Sequence, residues 1–141
     1  MKKNEKILLV EDDLELLKVL REQVTGAGLK IKFAASGTEA LKIAARIGEL
    51  DLLITDVLLP DLNGIDLAKK LLALRPGLKV AFMSGYLRPS LADTEEPALP
   101  PPPFIQKPFS GKTLTGFIRK CLREGTGQEL TQEDEQTFLG T

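Results

Sequence analysis

The sequence has no histidine and no tryptophan, and only one cysteine and one tyrosine. Each scarcity removes a class of chemistry. Without histidine there is no Ser/His/Asp or Cys/His nucleophile pair, no His-containing metal site and no imidazole to carry a phosphoryl group. One cysteine excludes an internal disulfide and any cysteine cluster for zinc or iron–sulfur. An excess of charge is missing too: 19 Lys plus Arg face 20 Asp plus Glu, a formal net charge of −1. Nothing global therefore points to nucleic acid or to a membrane surface. No apolar run approaches the ~20 residues of a membrane span. The run at 7–10 (ILLV), after the basic start MKKNEK, is too short for a signal-peptide core. A cytoplasmic protein is the expectation, and its chemistry must fall to carboxylates, lysine and hydroxyls.

What is present suits one domain. The chain has 141 residues, 43% hydrophobic and 28% charged, ordinary values for a globular protein with a single core. ILLV is bounded by charge and is too short for a buried helix, so it predicts a strand covered on both faces. A helix is expected over 14–24, with Leu16, Leu17, Leu20 and Val24 on one face, stopped by Gly26 and Gly28. Residues 30–34 predict a second strand. Ser36-Gly37-Thr38 opens a helix whose apolar face holds Ala40, Leu41, Ala44, Ala45 and Ile47, ending near Gly48. A third strand is expected over 51–55 (DLLIT), followed by the turn cluster Pro60-Asp61-Leu62-Asn63-Gly64. A helix over 65–74, with Leu67, Leu71 and Leu74 in register, runs to Pro76-Gly77. Residues 79–83 (KVAFM) and 104–106 (FIQ) predict two more strands. Residues 111–123 predict the last helix, with Leu114, Phe117, Ile118, Cys121 and Leu122 at helical spacing.

Alternating strands and helices imply right-handed βαβ units: an α/β fold with a five-stranded parallel sheet, doubly wound as a (βα)5 three-layer sandwich. One stretch breaks the pattern. Prolines 97, 100, 101, 102 and 103 forbid a long helix between the fourth and fifth strands, so the fourth helix is expected to be short or missing. Residues 1–124 form the expected domain. Residues 125–141 read as a polar tail or linker, with Thr131-x-x-Asp134 resembling a capping box.

Ligands in an open parallel sheet bind at the carboxyl ends of the strands. Glu11, Asp12 and Asp13 follow the first strand and Asp56 the third. Ser84 and Gly85 follow the fourth, and Lys107 and Pro108 the fifth. Several carboxylates this close repel one another, and a divalent cation relieves that repulsion. An all-oxygen donor set without His or Cys favours Mg²⁺, or Mn²⁺, over zinc. With a lysine and a hydroxyl nearby for phosphoryl oxygens, the group suits phosphoryl transfer to a carboxylate nucleophile.

ILLVEDD, LLITDVLLPDLNG, VAFMSG and FIQKPF, in that order and spacing, resemble the receiver (response-regulator) domain of two-component signalling over roughly residues 5 to 123. FMSGY and FIQKPF look most like receivers of hybrid sensor histidine kinases. The resemblance implies that Asp56 is the phosphoacceptor. It implies that Asp12 binds Mg²⁺ directly, Glu11 through water, and the backbone carbonyl of Leu58 as a further ligand. Ser84 then contacts and reports the phosphoryl group, and Lys107 pairs with its oxygen, with a cis Lys107–Pro108 bond. Phe104 is the aromatic switch that turns inward when Ser84 moves. Leu58 and Tyr86 occupy the positions that tune phosphoryl lifetime; being apolar and aromatic, they predict slow autodephosphorylation. Asp13 is expected to cap the first helix. The implied partner is a histidine kinase or histidine phosphotransfer protein, with a homodimer as a further option, and neither nucleic acid nor membrane. Such a domain is not a conventional enzyme, and no DNA-binding output domain is expected after it.

Blander readings stand beside these. Asp56 and Ser84-Gly85 are also turn residues, and Glu11 also favours a helix dipole. Lys107 is also a surface lysine. Phe104 and Cys121 suit a core, and the proline-rich run suits a polyproline ligand. Two functional alternatives remain. One is a degenerate receiver that only docks. The other is a phosphatase of the haloacid dehalogenase type, whose second aspartate would have to stand where Leu58 is.

Overall fold

The computed structural model describes residues 5–85 and 103–123. Five strands form one parallel sheet in the order β2-β1-β3-β4-β5. The elements run β1 (Lys6–Val10), α1 (Leu14–Val24), β2 (Lys30–Ala34), α2 (Gly37–Arg46) and β3 (Leu52–Asp56). They continue with α3 (Gly64–Leu74), β4 (Lys79–Ser84), β5 (Phe104–Gln106) and α4 (Gly111–Arg123). Four helices are thus present among the described residues. The expected short fourth helix, Tyr86, most of the proline-rich run and the 125–141 tail lie outside the described residues.

The inner strands β1, β3 and β4 are apolar runs because both their faces are covered, whereas the edge strands β2 (KIKFA) and β5 (FIQ) are only partly buried. Side chains alternate across the pleat. Ile7, Leu9, Leu52, Ile54, Ala81 and Met83 face one way, packing with Leu17 and Leu20 of α1 and Leu114 and Ile118 of α4. Leu8, Val10, Leu53, Val80 and Phe82 face the other way, packing with Ala40 and Ala44 of α2 and Leu67, Ala68 and Leu71 of α3. Full burial of each Leu or Ile contributes about 1.5–3 kcal/mol, so this two-sided core is the main favourable contribution to the sheet.

Two expected core positions are exposed. Ala45 of α2 faces solvent, and the half-buried Ile43 packs beside Ala40 and Ala44 instead. Leu74 is 75% exposed. A straight helix drifts about 20° per heptad, so Leu74, one heptad past Leu67, has rotated off the buried stripe. Strand ends also differ. β3 runs through Asp56 and β4 through Ser84, one residue further than the apolar runs suggest. Both polar residues are therefore last rungs of the sheet ladder, with Asp56 opposite Met83 and Ser84 opposite Gln106.

The chain leaves β1 toward β2 on one side and returns to β3 on the other. The order of the sheet thus reverses between β1 and β3, and a crevice opens at their carboxyl ends.

Candidate functional site

Glu11 and Asp12 follow β1, and Asp56 closes β3, so the reversal point sets acids from two adjacent strands side by side. Val10 pairs with Thr55, which brings Glu11 level with Asp56. Glu11, Asp12 and Asp56 each offer an oxygen within 4.8 Å of the others. Their environments differ: Glu11 is buried, Asp12 is exposed, and Asp56 lies at the rim at 8% exposure.

Lys107 comes in from the far end of the sheet. β5 pairs with β4, and the backbone N–H of Lys107 donates to the Ser84 carbonyl at 2.7 Å. That bond carries the side chain back over the crevice. Its Nζ donates to Asp56 Oδ2 at 2.7 Å and makes an ion pair with Glu11 Oε1. The Lys107–Pro108 peptide is cis, as expected. Glu11 is fixed from its other oxygen, since Oε2 accepts from the Asp13 N–H at 2.9 Å. Asp13 caps α1 as expected, its Oδ1 accepting from the N–H groups of Glu15 (3.0 Å) and Leu16 (3.1 Å). One short turn therefore starts the helix and orients an acid of the crevice.

The electrostatics follow from this crowding. Burial pushes the Glu11 carboxyl above the usual carboxylate range, and the nearby charge of Asp56 adds to the rise, against the opposing pull of Lys107. Burial also works against the Lys107 ammonium. Its hydrogen bonds to Asp56 and Glu11 outweigh that and hold its pKa above the ordinary lysine value. Glu11 and Asp56 thus share one ammonium, with Asp12 as a third carboxylate beside them. Glu11 Oε1, buried, has the Lys107 ammonium as its partner. An all-oxygen set with surplus negative charge, its three carboxylates within 4.8 Å of one another, fits a hard divalent cation. Glu11, Asp12 and Asp56 are the side chains that would hold it.

Ser84 is buried at the end of β4. Phe104 is half-buried and paired with Phe82, on the side of the sheet that packs against α2 and α3. Leu58, two residues past Asp56, is 47% exposed. Tyr86 lies outside the described residues. Sequence reasoning missed one feature, the reach of Asp61. This turn residue reaches the start of α2, where its carboxylate accepts from Gly37 and Thr38. An acid just after Pro60 was the only trace of this in the sequence.

Comparison with known proteins places these residues in a family context. The model of the response regulator receiver domain matches residues 7–119. The chain is 34% identical over 119 residues to the sensor kinase CckA of Brucella abortus (strain 2308), covering 84% of the chain and 12% of the kinase. It is 31% identical over 120 residues to the response regulator receiver protein CpdR of the same strain, covering 83% of the chain and 96% of CpdR. It spans 27% of the DNA-binding transcriptional regulator NtrC of Bradyrhizobium sp. (strain RP501 Parasponia). Among solved structures, the receiver domain of the hybrid histidine kinase CckA superposes with a TM-score of 0.66 at 33% identity, over 83% of this chain and 98% of that one. A CheY-like receiver domain protein from Methanospirillum hungatei JF-1 gives 0.70 at 28% identity, over 93% and 98%.

Proposed function

Because the chain belongs to the response regulator receiver domain family of two-component signalling, we propose that it takes a phosphoryl group from a histidine kinase or histidine phosphotransfer protein onto Asp56. One observation carries this reading. Asp56 sits at the rim with Lys107 Nζ at 2.7 Å and two further acids within 4.8 Å. That combines a nucleophile, a cation for phosphoryl oxygens and an acidic nest for a metal.

In the transfer, an Asp56 oxygen attacks phosphorus in line. The P–N bond of the donor's phosphohistidine breaks, its electron pair stays on the imidazole, and an acyl phosphate remains on Asp56. These 141 residues include no histidine, so the donor histidine lies outside them. Mg²⁺, held by Asp12, Asp56 and the Leu58 carbonyl with Glu11 acting through water, would neutralise charge on the phosphoryl oxygens. Lys107 answers the remaining charge and must loosen from Asp56 Oδ2 to do so. Ser84 then contacts the phosphoryl group and Phe104 follows it inward. These shifts move a two-state equilibrium that a partner senses. The chain on this reading is a signalling domain rather than an enzyme, and Leu58 and Tyr86 keep water poorly oriented, so the acyl phosphate is long-lived.

The test is phosphotransfer from a panel of radiolabelled kinases to wild type and to Asp56→Asn with Mg²⁺. Label on wild type alone supports the reading. Equal labelling of both proteins, or none from any kinase or from acetyl phosphate, overturns it. A half-life of only seconds for the labelled protein would contradict the role given to Leu58 and Tyr86.

A further inference from the structure

The loop between β3 and α3, residues 57–63, carries Leu58. With its side chain 47% exposed, Leu58 is not held by its own packing. The loop is anchored by the buried Val57, by Leu59 and Leu62 packed on the core, and by hydrogen bonds at its two ends and at one point between. At the ends, the Gly64 N–H donates to the Val57 carbonyl at 2.7 Å, and the Val57 N–H to the Met83 carbonyl at 3.3 Å. Between them the loop is tied to another element altogether. Asp61 Oδ1 accepts from the Gly37 N–H at 3.0 Å. Its Oδ2 accepts from the Thr38 N–H at 2.8 Å and from Thr38 Oγ1 at 2.5 Å. Gly37 is approached so closely that a Cβ there would lie 2.8 Å from Leu62 Cβ. Helix α2 does not need Asp61 as its only cap, because Ser36 Oγ already accepts from the Glu39 N–H at 3.1 Å.

We propose that Asp61 is a positioning residue for the phosphoacceptor site: by binding the loop to the first turn of α2, it sets the course on which Leu58 offers its carbonyl to the divalent cation. The inference rests on the receiver reading given above. The fixed end of α2 acts as an anchor. Three charge-assisted or backbone bonds to one carboxylate restrict the loop far more than the exposed Leu58 could. Support of this indirect kind changes metal affinity without touching the metal.

The test measures Mn²⁺ affinity of the unphosphorylated full chain by electron paramagnetic resonance of the free ion, with melting temperature in parallel. Asp61→Ala is expected to weaken Mn²⁺ binding by about 10-fold. Asp61→Asn, which keeps acceptor capacity, recovers part of it, and Thr38→Val, which removes one of the bonds, loses less. Ser36→Ala weakens α2 through its own cap but leaves the tie, so it should lower the melting temperature at wild-type affinity. Wild-type affinity in Asp61→Ala, or an equal loss in Ser36→Ala, would reduce Asp61 to a helix cap and overturn the proposal. Should Asp61→Ala fail to fold, Thr38→Val decides by the same criterion. Absence of Mn²⁺ binding in wild type would instead remove the receiver-site reading, and this inference with it.

Discussion

The two edges of the sheet use the same kinds of charged side chain for opposite ends. At the amino edge, Lys79 Nζ donates to the Leu122 carbonyl near the end of α4. The Arg75 guanidinium donates to the carbonyls of Ala44 (2.7 Å), Ile47 (2.6 Å) and Gly48 (3.3 Å), closing the end of α2. Asp51 Oδ2 accepts from the Lys6 N–H at 2.8 Å. Each of these bonds joins a charged group to backbone, and each lies where a helix ends or a strand begins. At the carboxyl edge, Lys107 meets charge of the opposite sign and is outnumbered, with Glu11, Asp12 and Asp56 around it. A cation spent on carbonyls ties elements together. A cation shared among several carboxylates leaves negative charge that a metal and a phosphoryl group can rearrange.

The largest expected effect comes from the backbone of the carboxyl edge. A Cβ at Gly64 would lie 2.0 Å from the Asp56 carbonyl oxygen and 3.1 Å from Val57 Cα. Backbone cannot swing aside as a side chain can, so Gly64→Ala should cost about 3 kcal/mol in urea unfolding. At the amino edge, Gly77 has nothing within 4 Å of its virtual Cβ, and Gly77→Ala should stabilise by about 0.5 kcal/mol. Similar losses at both positions would mean that the close approach is not what distinguishes the edges.

Lysine removal comes next. Lys107→Met leaves Glu11 and Asp56 facing each other. The cost should be about 2 kcal/mol, below the ~3–5 kcal/mol of a fully buried pair because Lys107 is partly exposed and Glu11 can take up a proton. Millimolar Mg²⁺ should return much of that loss, since a metal replaces the missing charge. Lys79→Met should cost about 1 kcal/mol with no response to Mg²⁺. Melting curves with and without Mg²⁺ for both variants check the contrast. A Lys107→Met protein indifferent to Mg²⁺ would break it.

How much of this was legible in the sequence depends on the range of the interaction. α1, β2, β5 and α4 follow from apolar runs, helical spacing and glycine stops, which are local signals, and their bounds match, while β1 begins one residue before its apolar run, at Lys6. The acids and Lys107 could be assigned to one edge because a parallel sheet sends every strand's carboxyl end the same way. What could not be read is pairing across distance. The bond of Asp61 to Thr38 and the reach of Arg75 to the end of α2 join residues far apart in the chain, with no periodicity to mark them. The exposure of Ala45 and Leu74 was hidden for a related reason. Apolar type and approximate spacing suggest a face, but the centre of that face is fixed only when the helix docks.

Arg75→Ala tests the amino edge alone. It removes three bonds to the carbonyls at the end of α2, partly open to solvent, and should cost about 1 kcal/mol while phosphotransfer to Asp56 proceeds at the wild-type rate. A matching loss of phosphotransfer would show that α2 transmits strain from one edge to the other.

The smallest effect is confined to acid. Hydrogen bonds from the Thr38 hydroxyl and the backbone N–H groups of Thr38 and Gly37 lower the Asp61 pKa from 3.8 to about 2. A carboxyl whose folded pKa is depressed contributes stability that is complete above its unfolded pKa and is lost as pH falls through the folded one. The difference in stability between wild type and Asp61→Asn should therefore be flat near neutrality and shrink as pH falls from 3.8 toward about 2. Urea unfolding across a pH series reads that slope directly. A difference that stays constant through this window would mean that the ionised carboxylate adds nothing to the folded state. The packing of Leu62 against Gly37 would then have to hold the loop to α2 by itself.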